Sequence, residues 1–209
     1  MAELAKLSSP IHAVNVLSGQ HRDLVRPFLH AFGMEIAHDL SVMQPRQTPI
    51  ETCARILDRL EPVLRQESPD LVLVQGDTTT VLAGALAAFH ARIPVGHIEA
   101  GLRSGDPINP FPEEMNRRLV SRLATYHFAA TASNRETLLD EGVDDGNIFV
   151  TGNPVVQALD MLRAGSAPSA AITSVLDATR LQKRVVITMH RREHFGESLA
   201  AHFLSLIHI

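Results

Sequence analysis

Leu71-Val72-Leu73-Val74-Gln75-Gly76-Asp77-Thr78-Thr79-Thr80 decides the fold. Four consecutive apolar residues suit a strand buried on both faces of a parallel sheet. The run ends in Gly-Asp, and residues 78–92 are rich in Ala and Leu, as a helix packed on such a strand would be. Working outward, residues 93–98 predict the next strand, 113–124 a helix, 126–130 a strand and 134–141 a helix. Residues 148–150 predict a strand closed by Gly152-Asn153-Pro154, with a helix over 155–163. Upstream, 11–17 reads as a strand and 22–31 as a helix. Over residues 48–66, Ile50, Cys53, Ile56, Leu57, Leu60, Val63 and Leu64 recur every three or four positions, which predicts an amphipathic helix. Repeated strand–helix–strand units imply an α/β fold with a doubly wound parallel sheet and right-handed crossovers. Residues 164–174, small, polar and proline-containing, predict a linker. A strand over 184–189 and a helix over 197–206 then predict the start of a second α/β domain. The expected organisation is a first domain over 1–165 and a linker plus incomplete second domain over 166–209.

Composition narrows the function classes. The chain has 209 residues, of which 45% are hydrophobic, and a net charge of −4. That balance argues against nucleic-acid binding, which needs a basic surface, and an aromatic content of 4% without Trp supplies no base-stacking platform. No apolar stretch approaches the roughly 20 residues of a membrane span, and the first residues do not resemble a secretion signal. A single cysteine, Cys53, excludes a disulfide framework and a cysteine-based zinc cluster. The expected compartment is the cytoplasm.

Ligands of open α/β sheets bind beyond the carboxyl ends of the strands, so the acids found there are the candidates. Either Asp77 or Thr78 simply caps the following helix, or the Asp77 carboxylate stands at a pocket floor. The next strand ends in Gly96-His97-Ile98-Glu99-Ala100-Gly101-Leu102-Arg103, where alternation predicts His97 and Glu99 on one side. Glu99 is either a solvated strand end or a second acid in Asp77's cleft, where two carboxylates push each other's pKa apart. In Pro112-Glu113-Glu114-Met115-Asn116-Arg117, the proline and glutamates suit a helix start without any function. The long irregular stretch before it, 102–112, favours a functional role. His190-Arg191-Arg192 at a predicted strand-to-helix turn suits an anion. His190 to His194 also spells H-x-x-E-H, but that zinc motif needs both histidines on one helical face. The H-x-E at His97 to Glu99 lacks the P-C-x-x-C that a zinc deaminase requires. No metal site is expected.

In order and spacing, GDTTT (76–80), HIEAGLRSGD (97–106), PFPEEMNRRL (110–119), TGNPV (151–155) and HRREHFG (190–196) resemble the bacterial non-hydrolysing UDP-N-acetylglucosamine 2-epimerases. The resemblance runs from about residue 1 to about residue 200. It implies two Rossmann-like domains of the glycosyltransferase-B type, of which mainly the first is present. It also implies interconversion of UDP-GlcNAc and UDP-ManNAc through anti elimination and re-addition of UDP. On that model Asp77, Glu99, Glu113 and His190 are the catalytic residues. Asp77 and Glu113 would move the C2 proton, Glu99 would share that traffic or stabilise positive charge on the ring, and His190 would stabilise departing UDP. Arg103, Arg117 and Arg191 would bind substrate. A regulatory UDP-GlcNAc site would fall on Gln20, His21, Arg22, Arg46 and Gln47, with Asp23 departing from the usual pattern. The resemblance implies no cofactor, nicotinamide included, and a homodimer at full length. The family's opening strand and G-T-R-P-E loop lie ahead of Met1, and residues 204–209 leave the family pattern. A chain of this extent is therefore expected to be inactive by itself. Competing expectations are a hydrolysing relative that releases ManNAc and UDP, a sugar-nucleotide-binding module without catalysis, and a zinc hydrolase.

Overall fold

The computed structural model describes residues 11–19, 22–165 and 169–184. The chain divides into two compact units, residues 1–162 and 163–209. In the first unit the elements run β1 (Val16–Leu17), α1 (Arg22–Ala31), β2 (His38–Asp39), α2 (Pro49–Glu67), β3 (Val72–Gln75), α3 (Thr79–His90), β4 (Val95–Ala100), α4 (Glu113–Leu123), β5 (Tyr126–Ala129), α5 (Ala132–Asp140), β6 (Ile148–Val150) and α6 (Pro154–Gly165), the last crossing the division. Strands β3, β4, β5 and β6 form a parallel sheet in sequence order, and β1 pairs with β2 in a separate parallel ladder. This alternation is an α/β, Rossmann-like fold.

Local chemistry explains the elements. Helix α2 opens with a capping box: the Glu51 N–H donates to the Thr48 hydroxyl at 3.2 Å and the Thr48 N–H donates to the Glu51 carboxylate at 2.7 Å. Pro49 occupies the first turn, and Thr52, Ile56, Leu60 and Leu64 form its buried stripe. That stripe packs with Leu40, Val42 and Ala83 into one core cluster. Helix α3 buries Val81, Ala85 and Ala88 with Val95 and Val120. A methyl on its Gly84 would lie 3.3 Å from Val74 Cγ1, so the glycine permits close packing of helix on sheet. Leu138 of α5 packs with Ala100, Ala129 and Ile148.

Register shows which face these helices cover. Val72, Val74, Val95, His97, His127, Ala129 and Ile148 share one side, and α3, α4 and α5 pack against it. Right-handed crossovers between strands in sequence order require this one-sidedness. The opposite side carries Leu73, which is 46% exposed, and stacked Phe128 and Phe149. The expectation that the Leu71–Val74 run is buried on both faces is thus corrected, since among the described residues only the Val72 and Val74 side lies under helices.

In the second unit, Ser169 caps α7 (Ala170–Ala178) by accepting from the Ile172 N–H. Helix α7 begins inside the expected linker, whose Pro168-Ser169 pair is a helix-start signal. The predicted strand 184–189, apart from its first residue, and the helix 197–206 lie outside the described residues. No described helix is long and apolar enough to cross a membrane.

Candidate active site

Asp77 lies just beyond β3, after Gly76, and three neighbours hold this turn. The Asn116 side-chain amide donates to the Asp77 carbonyl at 2.8 Å, and Arg117 pairs with the Asp77 carboxylate. The His97 Nε2–H donates to the Gly76 carbonyl at 2.8 Å, just before Asp77. Of the two residues expected as candidates to cap α3, Thr78 is the N-cap, without a side-chain cap bond, and Asp77 is not.

Glu99 lies on the neighbouring strand β4 and has a left-handed backbone, φ +66°. The β4–β5 register slips between Ile98 and Ala100. This bulge breaks the alternation expected to put His97 and Glu99 on one side. His97 is fully buried under the helices, whereas Glu99 accepts from the Gln75 side-chain amide at 3.2 Å, and Gln75 alternates with Val74 to the open side. A methyl on Gly76 would lie 3.6 Å from the Glu99 Oε2, which places that carboxylate beside the turn carrying Asp77. Strain of this kind persists only where surrounding structure enforces it, and it concentrates at functional sites.

Glu113 is the first residue of α4 and is partly exposed. Its neighbour Glu114 is fully buried. The Glu114 carboxylate accepts from the Ser104 N–H at 3.0 Å, from Arg118 at 3.0 Å and from Arg117 at 3.2 Å. Burial pushes its pKa up, but the Ser104 N–H and the two guanidinium groups outweigh burial and hold it below the usual carboxylate range. Glu114 therefore joins the 102–112 loop to Arg117, and through Arg117 to Asp77. The loop contains two cis peptide bonds, Asn109–Pro110 and Phe111–Pro112.

Asp77 and Glu99 thus stand at the carboxyl ends of adjacent strands, with Glu113 on the helix that secures Asp77. Arg117 belongs to this group. Arg103 does not: its guanidinium donates twice to Glu141, both at 2.8 Å, and also to Ser121 and the Leu102 carbonyl. The side chain is only 9% exposed, and in this structure it ties the loop to the end of α5. His190 and Arg191 lie outside the described residues. So do Gln20 and His21 of the expected regulatory set. Arg46 is exposed with φ +59°, and the Gln47 side chain accepts from the Gln44 N–H and from Arg55.

Sequence reasoning missed Asn116 and His97, which hold the Gly76–Asp77 turn, and Glu114, which holds Arg117. The signal was there in Glu114-x-x-Arg117-Arg118, where acid and bases three and four apart share a helix face. Among the described residues, no group of three or more His, Cys, Asp or Glu could hold a metal ion. A cavity of about 660 Å³ lies between the ends of α2 and α3, lined by Leu57, Glu61, Arg65, Ala87, His90 and Ile93 among others, and contains none of the candidate residues.

Residues 5–208 match the family model described as UDP-N-acetylglucosamine 2-epimerase. The UDP-N-acetylglucosamine 2-epimerase of Escherichia coli (strain K12) is 47% identical over 185 residues, 86% of this chain and 49% of that protein. The Bacillus subtilis (strain 168) protein of that name is 41% identical over 191 residues, 91% of this chain and 49% of that protein. The crystal structure of UDP-GlcNAc 2-epimerase from Neisseria meningitidis bound to UDP-GlcNAc superposes with a TM-score of 0.89 at 38% identity, over 99% of this chain and 57% of that one. The Methanocaldococcus jannaschii UDP-GlcNAc 2-epimerase in complex with UDP-GlcNAc and UDP gives a TM-score of 0.72 at 35% identity, over 84% of this chain and 48% of that one. The chain spans about half the length of the curated relatives it matches.

Proposed function

Since the chain belongs to the UDP-N-acetylglucosamine 2-epimerase family, we propose that the protein containing it interconverts UDP-GlcNAc and UDP-ManNAc without hydrolysis. A carboxylate takes the C2 proton as the bond from C1 to the UDP oxygen breaks, leaving UDP and a C1=C2 glucal. Return of a proton to the opposite face of C2 and attack of the diphosphate oxygen on C1 complete the inversion. The scheme uses no cofactor.

The observation that carries this reading is the placement of Asp77, ion-paired to Arg117 beside the strained Glu99 at the next strand end. A fixed carboxylate near a second acid suits a shared proton, which the pair rather than either residue would hold. Glu113 opens the adjacent helix and is assigned to the same traffic, with Arg117 near the sugar nucleotide. His190 and Arg191 are assigned to the departing UDP, Gln20, His21, Arg46 and Gln47 to a regulatory nucleotide, and a homodimer to the full-length protein.

The test is to incubate the full-length protein with UDP-GlcNAc in D₂O and follow products by NMR. Deuterium at C2 of both UDP-sugars, lost in Asp77→Asn and Glu113→Gln, is the expected result. Free ManNAc as the end product would instead identify the hydrolysing reaction, and full turnover in both variants would remove these carboxylates from the mechanism.

A further inference from the structure

We propose that His97 is a positioning residue for Asp77, acting by tying down the Gly76 carbonyl. The inference rests on the reading of Asp77 as a working carboxylate. His97 is fully buried, and its Nε2 lies 2.8 Å from the Gly76 oxygen. A carbonyl oxygen only accepts, so Nε2 carries the hydrogen. Nδ1 is buried with no partner. An imidazole is therefore a costly way to fill this space, because a leucine would leave no orphaned acceptor. What the imidazole supplies and leucine cannot is the bond to Gly76.

That bond completes a clamp. The Gly76 N–H donates to the Ile98 carbonyl at 3.0 Å, and the His97 Nε2–H holds the Gly76 carbonyl. The Asn116 amide holds the next carbonyl, that of Asp77. The peptide planes on both sides of the Asp77 Cα are thus anchored, which fixes its φ and ψ and the direction in which its carboxylate leaves the chain. Arg117 then only has to meet a carboxylate already aimed at it. The charged or titratable groups whose fields reach His97 are Arg103, Glu99, Asp77 and His127. Burial, the largest influence, pushes its pKa down and keeps the ring neutral, as a fixed tautomer requires.

The experiment compares His97→Leu with His97→Gln in the full-length protein, because a glutamine amide nitrogen can occupy the place of Nε2. Misplacing a reacting group by about an ångström costs roughly 100-fold. We expect His97→Leu to lower kcat by that order with KM nearly unchanged and His97→Gln to recover most of it. Equal loss in both variants, or a His97→Leu enzyme with normal kcat, would overturn the proposal. A readout independent of turnover is NMR of the ring nitrogens and of the Asp77 amide. The neutral Nε2–H tautomer and an Asp77 amide shift displaced in His97→Leu but restored in His97→Gln support the clamp, whereas an Nδ1–H tautomer or an unmoved amide defeats it. Wild-type protein that leaves UDP-GlcNAc untouched would sink the proposed function, and the NMR result would still judge the clamp.

Discussion

Glu114 is a charged side chain with no exposure, held by one backbone N–H and two guanidinium groups. Removing one partner of a buried charge cluster typically costs 3–5 kcal/mol, because the remaining charges lose compensation. Glu114→Ala should destabilise the protein by about 3 kcal/mol, read as a lower urea midpoint. His127 makes a second residue-scale prediction. Burial, reinforced by neighbouring His97, lowers its pKa to about 4. An unfolded histidine titrates near pH 6.5, so between these values the folded state binds fewer protons than the unfolded one. The stability contributed is complete above about pH 6.5 and lost as pH falls toward 4. Urea midpoints should decline from pH 7 to pH 5, and His127→Gln should flatten the decline. At this scale the sequence shows which acids end strands but not how they are aimed. Asp77 and Glu99 were legible as strand-end acids. The bulge that turns Glu99 was not, because alternation carries no sign of a one-residue slip. The Arg103–Glu141 pair was not legible either, because the partners lie 38 positions apart.

Elements with strong local chemistry were legible in the sequence, and those made by tertiary context were not. The 48–66 prediction meets α2 at Pro49–Glu67 because Thr48, Pro49 and Glu51 announce its start. Strand β2, His38–Asp39, passed unnoticed since two polar residues carry no apolar pattern and pair only because β1 lies alongside. The junction of β4 with α5 yields a prediction of its own. Gly101 has φ +83°, and a methyl there would lie 2.2 Å from the Asn134 carbonyl oxygen. Neither the backbone angle nor the space admits a side chain. Gly101→Ala should push α5 off the sheet and cost more than the usual 1–3 kcal/mol of overpacking. The check is loss of soluble protein, or hydrogen exchange accelerated first in α5.

At the scale of the whole molecule, helices among the described residues cover one side of the sheet, and the other side carries exposed apolar side chains. Leu73, Tyr126 and Phe149 are 46%, 37% and 44% exposed there, and Phe149 contacts both Tyr126 and Phe128. Contiguous patches of this kind bind hydrophobic dyes. Phe149→Ser combined with Leu73→Ser should reduce anilinonaphthalene sulfonate fluorescence at neutral pH without changing far-UV circular dichroism. Unchanged fluorescence would mean that this face is covered in solution. Global stability also bears the cost of Glu99. A non-glycine residue at φ +66° carries on the order of 1 kcal/mol that glycine would not. Glu99→Gly should therefore melt a few degrees higher than Glu99→Gln while both lack the carboxylate. The side chain at this position and the ease of the backbone beneath it pull in opposite directions, so selection for heat resistance alone would drift toward glycine here and give up the carboxylate.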